Sequence, residues 1–171
     1  RWALAGFLTL GVGIIMGAVW AYKVLGWGGF WGWDPVENAS LIPWIVSVAL
    51  IHGLVVQGAT GALRATNLAL GAAAYVLVLY ATFLTRSGVL ADFSVHSFPA
   101  GSIYGWLVGA LVAVVAVSVV SLLLRKARPG APMETRLAWP LVLTASIVIF
   151  AISGALVLIG TSWPIVSSVF G

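Results

Sequence analysis

Polar residues in this chain are gathered into a few short stretches. Between them lie five long apolar runs without Asp, Glu, Lys or Arg: Ala3–Tyr22, Leu41–Gln57, Asn67–Thr85, Ile103–Leu124 and Leu137–Gly160. A helix needs about 20 predominantly apolar residues to cross the hydrocarbon core of a bilayer. Four runs meet that length, and the second is short but can be extended by the residues before it. In lipid the backbone must satisfy its own hydrogen bonds, so only helices and closed barrels span it. Barrel strands alternate apolar and polar residues over about ten positions, and none of these runs alternates. The pattern predicts an all-α polytopic membrane helix bundle, a single membrane domain over residues 1–171 with five transmembrane helices. Gly13 and Gly17, and Gly105 and Gly109, have the spacing that lets helix backbones approach closely, and ordinary helix packing is expected there. Pro43 and Pro140 fall near helix starts, where a missing backbone donor is tolerated or kinks the helix.

Composition supports lipid as the main solvent. The chain is 62% hydrophobic and 7% charged, against roughly 25% charged in a soluble domain. Too few charges remain to cover a water-facing surface. The net charge of +4 does not argue for nucleic acid, because in a membrane protein the position of the charges matters more than their sum. Arg1, Arg64, Arg125, Lys126, Arg128 and Arg136 fall at the start or in the second and fourth connections, whereas Lys23 and Arg86 fall in the first and third. By the positive-inside rule the first group faces the cytoplasm. Residues Lys23–Ser40, Arg86–Ser102 and the tail Thr161–Gly171 are then expected outside, on the periplasmic side of a bacterial inner membrane. No signal-peptide pattern opens the chain. It begins at Arg1, and a piece of a longer or processed polypeptide is expected.

Cysteine is absent, which excludes disulfides, thiolate metal sites, a thiol nucleophile and a C-x-x-C-H haem attachment of the chain's own. An intramembrane hydrolase is discarded too, for want of a Cys, a His-x-x-x-His pair or a Gly-x-Ser-x-Gly.

One loop differs from everything else. Residues 26–40 read Gly-Trp-Gly-Gly-Phe-Trp-Gly-Trp-Asp-Pro-Val-Glu-Asn-Ala-Ser, and four of the nine tryptophans lie between Trp27 and Trp44. Asp34, Pro35 and Glu37 fit the start of a helix as N-cap, first helical residue and third, with capping the leading reason for the two carboxylates. The glycines allow a tight fold and close approach of a flat ligand to the backbone. An interfacial aromatic belt is the plainer reading of the tryptophans, but belts scatter over all helix ends and these crowd one. Asn38-Ala39-Ser40 matches a glycosylation sequon, set aside because it lies beside the membrane.

The two histidines are placed differently. His52 is the one strongly ionisable side chain within an apolar run, about 18 Å along a helix from Ser40. Such a group is either a ligand or a neutral imidazole bonded to a neighbouring helix. His96 lies in the third connection, where a solvated loop residue is the ordinary expectation. A depth gap on the order of 15 Å argues against a shared iron. If both bind haem, they bind two haems, or one at different stages, each with a second ligand from outside this chain.

The segment Trp27–Ser40 closely resembles the tryptophan-rich WWD motif of the haem-handling proteins of cytochrome c maturation, and its Asp-Pro-Val-Glu-Asn-Ala-Ser ending resembles the CcmF/NrfE branch. Thr82-Phe83-Leu84-Thr85-Arg86-Ser87-Gly88-Val89-Leu90, the following His96, and Ala49-Leu50-Ile51-His52 extend the likeness, which runs from Trp2 through His96 and more weakly to the tail. The chain departs from the family's more aromatic pattern at Phe30, which keeps a stacking face, and at Gly32, which does not. The resemblance implies a periplasmic WWD loop contacting haem through Trp27, Phe30, Trp31, Trp33 and Asp34, with Pro35, Glu37, Asn38 and Arg86 in support. It implies that His96 is one of two periplasmic ligands to that haem and His52 one of two membrane ligands to a haem b, the other two lying outside residues 1–171. Implied partners are a periplasmic haem chaperone, other maturation subunits, membrane lipid and apocytochrome c, whose C-x-x-C-H thiols join the haem vinyl groups. Electron supply through the membrane haem, with quinol as a candidate donor, is a further implication. Such a subunit of a haem lyase would mainly position its reactants. Arg86 would pair with a haem propionate or anchor the outer surface. Two other classes compete: a transporter subunit moving haem or another amphiphile, for which His52 alone makes a poor conduit, and a structural subunit whose tryptophans are only anchors and which binds no haem.

Overall fold

The computed structural model describes residues 1–25, 29–94, 96–98, 101–124 and 138–170. Within them the chain forms five long helices: α1 (Trp2–Trp20), α2 (Pro35–Thr60), α3 (Arg64–Arg86), α4 (Tyr104–Leu124) and α5 (Ala138–Phe170). All five are long and apolar enough to cross a membrane, and no strand occurs among the described residues. The protein is an all-α integral membrane protein. Trp27, Leu137 and the basic stretch 125–136 lie outside the described residues.

The second helix is longer than its apolar run because the loop before it supplies a cap. Asp34 accepts hydrogen bonds from the amides of Val36 (2.8 Å) and Glu37 (3.4 Å). The Glu37 side chain reaches back to the Asp34 amide, completing the capping box, with Pro35 in the first turn. Two of the four orphan donors at the helix start are thereby satisfied. Pro43 therefore sits well inside α2, not near its start as expected. Pro140 is in the first turn of α5, where its missing amide is one of the orphans anyway.

α2 is the axis of the bundle. Its buried residues Ala39, Ile42, Val46, Ala49, Gly53 and Val56 recur at three- and four-residue steps, a single stripe down one face. That helix packs mainly against α3 and α5, with α1 on its flank and α4 outside α3. α1 and α4 bury no residue of their own. The tight α2–α3 connection uses left-handed backbone at Gly61 (φ 75°) and Leu63 (φ 62°). Beside it the Asn67 side chain donates to Gln57 Oε1 (2.7 Å), a polar link across the helix pair.

The fifth helix outruns its apolar run, and the tail from Thr161 continues it to Phe170. Ser167 and Ser168 donate back to carbonyls of their own helix, and Ser162 pairs with the Tyr80 hydroxyl of α3 at 2.7 Å. Hydroxyls satisfied this way do not end a helix. Among the described residues Gly13, Gly17, Gly105 and Gly109 stand at no helix–helix contact: a Cβ at any of the four would meet nothing within 4 Å.

Candidate functional site

The WWD segment begins where α1 ends. After Trp20 the chain widens into a π-helical turn, Ala21–Leu25, which carries Tyr22 onto Phe30, the rings stacked with centroids 4.6 Å apart. Trp31 and Trp33 then meet edge to face at 6.5 Å. Trp33 occupies left-handed backbone with φ 56° while its side chain is 66% exposed. For a bulky residue that conformation costs roughly 1–3 kcal/mol and clusters at functional sites. It is held by the Asn38 amide, which donates to the Trp33 carbonyl at 3.0 Å. The Gly32 amide donates to Glu37 Oε2 at 2.8 Å. Glu37 thus shapes the loop as well as the helix start.

The third connection folds back onto this loop. Its Leu90 is fully buried against Ala39 of α2 and Leu84 of α3. The Phe98 amide donates to the Thr85 carbonyl at 2.8 Å, and Ser94 is turned by its own amide onto the Leu90 carbonyl. Pinned at both ends, the segment lays His96 over the start of α2. His96 Nδ1 stands 3.4 Å from Asp34 Oδ1 and its Nε2 4.0 Å from Glu37 Oε1. The His96 side chain is only 18% exposed, so it is not the solvated loop residue that its sequence surroundings suggest. Ser94, which no sequence signal marks, joins the two loops: its hydroxyl donates to Asp34 Oδ1 at 2.7 Å and accepts the His96 amide at 3.0 Å.

A cavity of about 330 Å³ opens beside this cluster. Gly13 and Gly17 of α1 and Ala21 of the π turn form its floor; Phe30, Trp31, Val36, Glu37 and His96 form its walls. Here lies the use of the small residues of α1, since side chains at those positions would fill the space. Its volume is in the range of sites for small organic ligands, and its lining is apolar with a few convergent polar groups. The buried Trp31 Nε1 has no hydrogen-bond partner among the described residues. A second cleft of about 260 Å³, lined by Thr82, Thr85 and Arg86, shares Leu10 and Ser40 with the first. Aromatic faces, an imidazole and a nearby guanidinium suit a flat apolar molecule with anionic substituents, which is the chemistry of haem.

His52 is elsewhere. It lies fifteen residues beyond Glu37 on α2, about 22 Å along the axis. Its Nδ1 is 2.8 Å from the Val48 carbonyl; a carbonyl only accepts, so Nδ1 carries the proton and Nε2 keeps the lone pair a metal needs. The ring lies 5.5 Å from that of Phe150 on α5. The two histidines cannot share an iron in this arrangement. Among the described residues no group of three or more His, Asp or Glu could hold a bare metal ion.

The family model described as cytochrome C assembly protein matches residues 1–90, which carry the WWD segment, His52 and Arg86. The chain belongs to the cytochrome c assembly protein family. Over its whole length it is of the CcmF/NrfE type. It is 37% identical over 173 residues to the probable cytochrome c-type biogenesis protein NrfE of Escherichia coli K12, covering 100% of this chain and 31% of that protein. It is 41% identical over 175 residues to the cytochrome c-type biogenesis protein CcmF of the same organism, covering 99% of this chain and 26% of CcmF. With CcmF of Pseudomonas aeruginosa the identity rises to 53% over 97 residues, 57% of this chain and 14% of the relative. The chain thus spans less than a third of the length of these relatives. No solved structure matches it.

Proposed function

We propose that this chain binds haem at its WWD loop and presents it for covalent attachment to apocytochrome c. The observation that carries the reading is the meeting of His96 with the WWD loop, across some sixty residues of sequence, at the wall of an aromatic cavity. Haem is the substrate there. Trp31, Phe30 and Trp33 offer stacking faces, His96 offers an axial nitrogen, and Arg86 in the adjoining cleft offers a propionate partner. Trp27 belongs to the same sequence motif and is proposed as a further face. An aromatic slab that holds the macrocycle by its face leaves the periphery open to the thiols of the apocytochrome. The protein's contribution is then position and orientation. A periplasmic haem chaperone would deliver the substrate, and this end of the bundle would face the periplasm across the inner membrane.

His52 we assign to a resident haem b within the bundle. With Nδ1 turned to the Val48 carbonyl, its Nε2 would hold the iron, and a second ligand would come from outside the chain. Such a haem would supply electrons to keep the presented iron reduced.

The test is the reduced-minus-oxidised absorption spectrum, with pyridine haemochrome quantitation, of the full-length protein purified in detergent. Wild type should contain haem b, His52→Ala should lose one fraction, and His96→Ala a separate one. A folded wild type without haem, active in no cytochrome c assembly assay, would sink the proposal and leave a structural subunit.

A further inference from the structure

We infer that Asp34, together with Ser94, is the positioning group that sets His96 for its ligand. This rests on the reading above, in which His96 binds the substrate haem, and assigns the Asp34 carboxylate a role beyond capping. Oδ1 of Asp34 gathers four groups from two separate loops. It accepts from the Val36 and Glu37 amides at the helix start and from the Ser94 hydroxyl, and it faces His96 Nδ1 at 3.4 Å. Ser94 Oγ in turn accepts the His96 amide. The His96 backbone is therefore tied to Asp34 through Ser94, and its ring faces the same carboxylate at ion-pair distance, without a hydrogen bond between them. Both side chains are largely enclosed, His96 18% and Asp34 14% exposed, so water competes weakly for these contacts. The other carboxylate facing the ring, Glu37, stands 4.0 Å from Nε2. That is beyond hydrogen-bond range, and its Oε2 is engaged by the loop amides of Gly32 and Asp34.

The consequence follows from imidazole chemistry. A carboxylate facing Nδ1 favours the proton on that nitrogen and the lone pair on Nε2, the form of the ring that ligates, and His96 lines the cavity. The carboxylate also makes the imidazole a stronger donor. Such outer partners typically change metal affinity by roughly 10- to 100-fold. A stronger donor favours ferric iron, so Asp34 also lowers the potential of whatever haem His96 holds.

The experiment compares wild type with Asp34→Asn, Asp34→Ser and Ser94→Ala in the full-length protein, solubilised from its membrane. Asn and Ser are both good N-caps, so the two Asp34 variants keep the start of α2 while removing the carboxylate. Haem titration and a spectroelectrochemical midpoint are read for each, with the His52-dependent haem as internal reference. We expect roughly 10- to 100-fold weaker haem binding in the His96-dependent fraction. We also expect a higher midpoint potential for that fraction, a smaller change of the same sign in Ser94→Ala, and an unchanged reference. Wild-type affinity and potential in both Asp34 variants, while His96→Ala still loses its fraction, would overturn the positioning role alone. Full retention of haem in His96→Ala would overturn the underlying assignment as well.

Discussion

Replacing Trp33 by glycine should leave the fold as stable as before while removing a haem contact, and should reverse the usual order of glycine and alanine. The residue sits at φ 56°, a conformation that costs a bulky side chain roughly 1–3 kcal/mol and costs glycine nothing. Against that release stand two losses. Glycine adds about 0.5–1 kcal/mol of unfolded-state entropy relative to alanine. The edge-to-face contact with Trp31 is worth about 0.5–1.5 kcal/mol. The indole is two-thirds exposed, so little burial is forfeited. The terms cancel to within about 1 kcal/mol. Trp33→Ala suffers the same contact loss without full relief of the backbone, so it should be less stable than Trp33→Gly by about 1 kcal/mol. Detergent-solubilised variants titrated with a denaturing detergent and followed by helical circular dichroism would give the order. Pyridine haemochrome on the same samples should show reduced haem in both. A glycine variant clearly less stable than the alanine variant would refute the claim that this tryptophan is held against its backbone preference.

Three further outcomes are expected. Gly53→Ala would drive a Cβ onto the Asn67 side chain, whose Cγ would stand only 3.0 Å from the new methyl; overpacking of this kind costs about 1–3 kcal/mol, and a cycle with Asn67→Ala should recover part of it as a coupling energy. Tyr80→Phe removes the bond to Ser162 between α3 and α5 and should cost about 0.6 kcal/mol, the mean for such bonds within membranes, read from the same denaturation curves. Residues 1–171 hold no cysteine, so labelling that appears with a single substitution, over the parent protein as background, reports sidedness: on the proposed orientation Asp92→Cys is labelled by an impermeant maleimide from the periplasm and Arg64→Cys only after permeabilisation, and the reverse pattern would invert the topology.

Most of the bundle is legible from where charges are missing, because an uncharged stretch of sufficient length has few alternatives to a membrane helix. The α2 start is legible too, since Asp34, Pro35 and Glu37 act on amides two and three residues away. The fifth helix reads too short because Ser162, Ser167 and Ser168 look like an aqueous tail until their hydroxyls are seen bonded to α3 or to their own helix. The site is legible in its parts and not in its assembly. Asp34 and His96 each stand out in the sequence, but their meeting depends on Leu90 seating between α2 and α3, and Ser94 has no local signature at all. Tyr22, which stacks on Phe30, looks like the end of a span because a π turn leaves no mark in hydropathy.

That wide turn has a consequence for how this region tolerates change in length. A π turn holds one residue more than the regular helix it interrupts, so Ala21–Leu25 behaves as a built-in insertion at the junction of α1 and the WWD loop. Deleting a single residue there would let the regular helix close, swinging Tyr22 by about 100°, the angle per residue at about 3.6 residues per turn, and taking it off Phe30. Exchanging one side chain for another in the same five positions leaves the extra residue in place. The junction is accordingly sensitive to chain length and permissive of side-chain identity, and alignments across it should show substitutions far more readily than gaps.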